Sequence, residues 1–179
     1  MTELRPTTFL RLSVAGAAFG VVLGSLLHFT YQWSGRLTAV ALFSAVNESP
    51  WEHLKLYFFP IVLYLAVEWL VVGNKATLLF AKLVQILGGM LFIEAFFYTY
   101  TGAFGIENVW VDILSFIGAM ASGYVLSYRL ITRGESCHFP AWLSAGSIAL
   151  LMLFFFTSTC APPHLPLFRD STTGSYGVP

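Results

Sequence analysis

The stretch VNESPWEHLK, residues 46–55, places Asn47, Glu48, Glu52, His53 and Lys55 around Pro50 and Trp51. Imidazole and carboxylate together are the ligand set of a divalent metal such as zinc, and a metal that keeps one open position activates water. The same groups, at hydrogen-bond reach, also serve as general acid and base. Three further residues elsewhere in the chain offer this chemistry: His28, Glu94 and Asp112. The residue types make His28, His53 and Asp112 the candidate metal ligands. Glu52, His53, Glu94 and Asp112 are the candidate acid–base groups. Asn47, Glu48, Trp51, Lys55, Tyr98 and Asp170 complete the candidate set. No pair of these ligands has the spacing of a recognised metal motif.

Each candidate has a plainer reading. Ser49-Pro50-Trp51-Glu52 is a capping box, with Ser at N-cap, Pro at the first helical position and Glu at the third. It opens a helix whether or not Glu52 does chemistry. His53 follows Glu52 directly, so the two side chains diverge by about 100° on a helix and serve one ligand only if a neighbouring element meets them. His28 as a polar group satisfied by a neighbouring helix, Asp112 as a charge complementing a helix N-terminus, and Tyr98 as an interfacial aromatic are the corresponding alternatives.

The elements that must position these groups follow from composition. Of 179 residues 57% are hydrophobic and 10% charged, with nine basic and nine acidic side chains. Soluble domains carry roughly a quarter charged residues, and the mean hydropathy here is +0.75. The chain therefore reads as all-α, a polytopic transmembrane helix bundle with the lipid bilayer as its environment. The zero net charge gives no basic surface for nucleic acid. Five stretches reach the roughly 20 apolar residues of a membrane helix: 12–33, 51–73, 76–101, 109–129 and 140–160. Residues 36–48 are too short to cross and read as an interfacial segment, and 161–179 as an ordered, extended tail. The whole of 1–179 reads as one integral membrane domain.

Lys and Arg favour the cytoplasmic side. With the N-terminus inside, that side holds Arg5, Arg11, Lys75, Lys82, Arg129 and Arg133, against Arg36, Lys55 and Arg169 outside. The reading is a multi-pass protein of the cell membrane, N-terminus cytoplasmic and C-terminus outside. Glu48, Glu52, Glu94, Glu107, Asp112, Asp170, His28, His53 and His164 then converge on the outer half. Cys137 and Cys160 fall on opposite faces and are not expected to pair.

Small residues mark the packed faces. Gly16, Gly20, Gly24 and His28 form one ridge, which serves either bundle packing or a homo-oligomer. Asp112, Ser115, Ala119 and Gly123 form another. In the inner half, Glu68 and Lys82 fall at similar depth on adjacent antiparallel helices and read as an ion pair.

The stretches LHFTYQWSG, VNESPWEHLKLYFFP, FYTYTG with its following DI, and PLFRDSTTGSYG resemble an uncharacterised family of small bacterial multi-pass membrane proteins. The resemblance covers most of the chain and implies a membrane protein, with no activity attached. Three functions are weighed from the residues alone. One is a metal- or acid/base-dependent hydrolase or transferase acting on a lipid-like amphiphile from the outer face. Another is a non-enzymatic sensor, small-molecule or ion-binding protein, or partner subunit. The last is a bundle whose polar groups only cap and pack helices.

Overall fold

The computed structural model describes residues 6–133 and 139–178. Its helices are α1 (Pro6–Trp33), the short α2 (Thr38–Ala41), α3 (Pro50–Val71), α4 (Lys75–Phe104), α5 (Val109–Thr132) and α6 (Ala141–Cys160), followed by a 3₁₀ turn at Pro166–Phe168. Among the described residues there is no strand, only an isolated bridge between Arg169 and Tyr176. The fold is all-α, and five helices are long and apolar enough to cross a membrane, as a multi-pass membrane protein requires. Arg5, Glu135 and Cys137 lie outside the described residues; Cys160 is exposed and free.

Helix bounds differ from the apolar runs where something other than hydropathy sets the end. α1 begins at Pro6 rather than residue 12 because Phe9 packs its ring against Val72 and Leu78. α4 runs on to Phe104 and stops where Gly105 takes the left-handed conformation, φ +66°, that ends helices at low steric cost. α3 opens as the capping box predicts, with Ser49 Oγ accepting the Glu52 amide at 3.3 Å, and it continues through Pro60.

α1, α3, α4 and α5 close a ring in which each packs against two others: α1 on α3 and α5, α4 on α3 and α5. α6 lies outside the ring on α4 and meets α3 through aromatic rings, Trp51 stacking on Phe155, Phe58 tilted against Phe155, and Phe59 stacking on Phe156. α3 and α4 form the inner pair. More than half of each span is buried (56%), against 22–28% for the other three.

The glycine ridge of α1 is used inside this ring. A Cβ on Gly16 would meet the Tyr124 ring, on Gly20 the Met120 thioether, and on Gly24 the Leu56 carbonyl oxygen at 2.5 Å and the Phe116 ring. Of its two expected uses, the ridge therefore serves packing within the chain. The pairing runs antiparallel, so the next step of the register carries His28 on α1 and Asp112 on α5.

In the half away from the tail, Glu68 and Lys82 form the expected ion pair at 2.7 Å, both without exposed surface. The approach is close in distance but off the hydrogen-bond direction, and Glu68 Oε2 has no partner. Lys82 Nζ also donates to Gln85 Oε1 at 2.9 Å and sits over the Tyr124 ring, 4.2 Å from its centroid. Between this layer and the tail end, Tyr57 inserts its ring into a notch formed by Gly89 of α4 and Gly123 of α5, and its hydroxyl donates to the Gln85 carbonyl at 3.1 Å.

Candidate functional site

The candidate residues gather at the end of the ring that carries the C-terminal tail. His28 stands near the end of α1, His53 in the first turn of α3, and Glu48 on the loop between α2 and α3. One ligand atom from each of the three lies within 4.8 Å of the others. His53 Nε2 is 3.3 Å from Glu48 Oε2, and His28 Nε2 is 3.8 Å from Glu48 Oε1. Ligand atoms around a tetrahedral zinc at about 2.05 Å stand about 3.3 Å apart, so side-chain adjustment alone would close this set around an ion. The three side chains are 29–45% exposed, so the position between them is open to water.

His53 Nδ1 lies 2.9 Å from the Ser49 carbonyl oxygen. A carbonyl only accepts, so Nδ1 donates its proton there; Nε2 is the nitrogen left facing Glu48, donating to it when the ring is protonated and offering its lone pair to a metal when the ring is neutral. This is how a ligating imidazole is ordinarily fixed. Glu48 is held below the usual carboxylate range by the hydrogen bond from His53, against partial burial, with the charges on His53 and His28 acting in the same direction. It is a carboxylate at neutral pH.

The loop that presents Glu48 is pinned from several sides. Ser44 Oγ accepts the Tyr31 amide at 3.0 Å and donates to the Leu27 carbonyl, so the hydroxyl sits inside the hydrogen-bond ladder of α1 beside His28. Lys55, fully buried, donates to the carbonyls of Ala41 at 2.9 Å and Ser44 at 3.3 Å. Its counter-charge is Glu52, 2.6 Å away, whose Oε2 also accepts the Val46 amide at 3.1 Å. Asn47 Oδ1 accepts the Ser49 amide.

This geometry divides the candidates. His28, His53 and Glu48 come together. Glu52 and Lys55 do not join them: a lysine with no exposed surface needs an adjacent anion, and Glu52 supplies it instead of reaching back to the Ser49 amide. Trp51 is also structural, its Nε1 donating to Ser158 Oγ at 2.8 Å among Phe154, Phe155 and Phe168. Asp112 is outside the three-residue set. It accepts the Tyr100 hydroxyl at 2.7 Å and ties α5 to α4. Glu94 is also outside that set, with a buried Oε2 that has no partner among the described residues. Tyr98 is exposed. Asp170 caps its own turn; burial pushes its carboxyl up, but bonds from Thr172 and Thr173 outweigh that and hold it low. Ser44 was not among the candidates, since a lone serine in an apolar loop carries no spacing signal.

The fold and these buried polar layers define a polytopic α-helical membrane protein with a His/carboxylate cluster at one end. Residues 5–178 match the family of unknown function DUF6512, and the chain belongs to that family. No curated protein and no solved structure matched in the corresponding searches.

Proposed function

We propose that this protein binds a divalent transition metal, zinc by its ligand types, through His28, Glu48 and His53 at the outer face of the cell membrane. A metal held by these residues would supply an activated water for hydrolysis of a lipid-like substrate. The observation that carries this reading is the convergence of two imidazole Nε2 atoms and one carboxylate, with the His53 tautomer fixed by the Ser49 carbonyl. Three protein ligands and an exposed fourth position are the pattern of catalytic rather than structural zinc. Glu94 would take the proton of a water as it adds to an ester or amide carbonyl and return it to the departing alcohol or amine. Membrane depth supports an amphiphile as substrate, and the six-to-three bias of Lys and Arg supports the outer placement.

The test is the metal content of detergent-purified protein, wild type beside His28→Ala, His53→Ala and Glu48→Gln, each shown folded by its elution volume and melting curve. Near-stoichiometric metal in wild type, lost in the variants, is the expected result. No metal in folded wild type prepared without chelators refutes the reading. Metal-loaded protein is then offered a fluorogenic fatty-acid ester in vesicles. Bound metal without turnover would replace hydrolysis by metal sensing or carriage.

A further inference from the structure

We infer that the C-terminal tail is a working part of the metal site: it positions Glu48, and its docking is coupled to metal binding. The inference rests on the metal reading above and concerns Asn47 and Ser171 as positioning residues.

Three contacts join the tail to the segment that carries Glu48. Asn47 Nδ2 donates to the Gly177 carbonyl at 2.9 Å, Ser171 Oγ donates to the Glu48 carbonyl at 3.2 Å, and Phe168 packs on Trp51 with ring centroids 5.0 Å apart. The first two fall on Glu48 and its immediate neighbour. They come from residues more than 120 positions away in sequence, so no local preference of the loop replaces them.

The tail is built to reach this place. Gly177 has φ +73°, and a Cβ there would stand 3.0 Å from the Pro162 ring, so the chain crosses the end of α6 only with glycine. His164 stacks on Tyr176 with centroids 4.6 Å apart, and Asp170 closes the turn between them. Glu48 itself is exposed and gains little from packing. Its backbone is fixed by the tail on one side and by Ser44 and Glu52 on the other. Groups that orient a metal ligand from outside typically change affinity by roughly ten- to a hundredfold. Because coupling is reciprocal, metal must stabilise the docked tail by the factor that the docked tail adds to metal affinity.

The experiment uses full-length protein in detergent with zinc alone as the ligand. Zinc affinity is measured by competition with a chelating dye for wild type, Asn47→Asp, Ser171→Ala and Ser171→Thr. Asn47→Asp keeps the acceptor for the Ser49 amide and removes the donor to Gly177. In parallel, trypsin cleavage after the exposed Arg169 is followed by release of the 170–179 peptide, with and without zinc. Asp170 is buried when the tail is docked, so cleavage reports the undocked population. The expected results are roughly tenfold weaker zinc binding in Asn47→Asp and Ser171→Ala, near-wild-type binding in Ser171→Thr, unchanged melting of the zinc-free proteins, and slower peptide release with zinc. Wild type that binds zinc, with both variants unaffected and cleavage indifferent to zinc, overturns the coupling and leaves the metal site standing. Equal loss in Ser171→Ala and Ser171→Thr also overturns it. Wild type that binds no zinc overturns the site and the coupling together.

Discussion

Glu68 and Lys82 give the sharpest test of how the bundle holds charge. Both lie at zero exposure, 2.7 Å apart. With an effective dielectric near 20 their attraction at 2.7 Å is about 6 kcal/mol. Desolvation of two buried ions costs several kcal/mol each and offsets most of that. The net value of the pair against apolar residues is therefore small, while the cost of breaking it is not. Glu68→Leu leaves the ammonium with only Gln85 and the Tyr124 ring; Lys82→Met leaves the carboxylate with nothing, since Oε2 already has no partner. Each single change should destabilise by about 3–5 kcal/mol, and the double change Glu68→Leu with Lys82→Met by far less than either. Reversible unfolding in mixed micelles measures all four corners of this cycle. Additive effects, or single variants within about 1 kcal/mol of wild type, would show that the pair does not bear on folding.

Other outcomes follow from the same geometry. Gly24→Ala should lower the melting temperature more than Gly20→Ala, because its Cβ meets the Leu56 backbone carbonyl, whereas Gly20 faces the flexible end of Met120. Lys55→Met should cost about 3–5 kcal/mol by stranding the buried Glu52 carboxylate, and paired replacement with Glu52→Leu should recover most of it. Trp51→Phe, which keeps the ring stack and loses the bond to Ser158, should cost about 1 kcal/mol. Glu48 is depressed below its ordinary 4.5, so its contribution to stability is present above that pH and is lost as pH falls through the lower folded value. In metal-free protein, melting curves of wild type and Glu48→Gln should therefore converge on acidification below about pH 4.5 and separate above it.

Apolar length made the five long helices readable, and the Gly16/Gly20/Gly24 spacing identified the packed face of α1. The Ser49 cap was readable for the same reason, being local. Glu52 shows the limit: its box partner was the nearest amide, but a buried lysine one turn on outcompeted it, and burial of Lys55 depends on a loop folding over α3. Glu48 was visible as one of several acids at the tail end. Its place beside His28 and His53 depends on Ser44, Asn47 and a tail more than 120 residues away, contacts that no local pattern encodes. Asp112 faced inward as its stripe of small residues implied, yet the Tyr100 hydroxyl, one helix over, took its carboxylate. The direction of a stripe is set by periodicity, whereas the partner at its end is set by packing.

Tyr57, one helical turn past His53 on α3, fills the notch between Gly89 and Gly123, with the buried Glu68–Lys82 layer beyond it. Packed side chains thus separate the His/carboxylate cluster from the far half of the bundle. If the cluster turns over a substrate, substrate and product would approach it from the same face, and the product should inhibit by competing with the substrate.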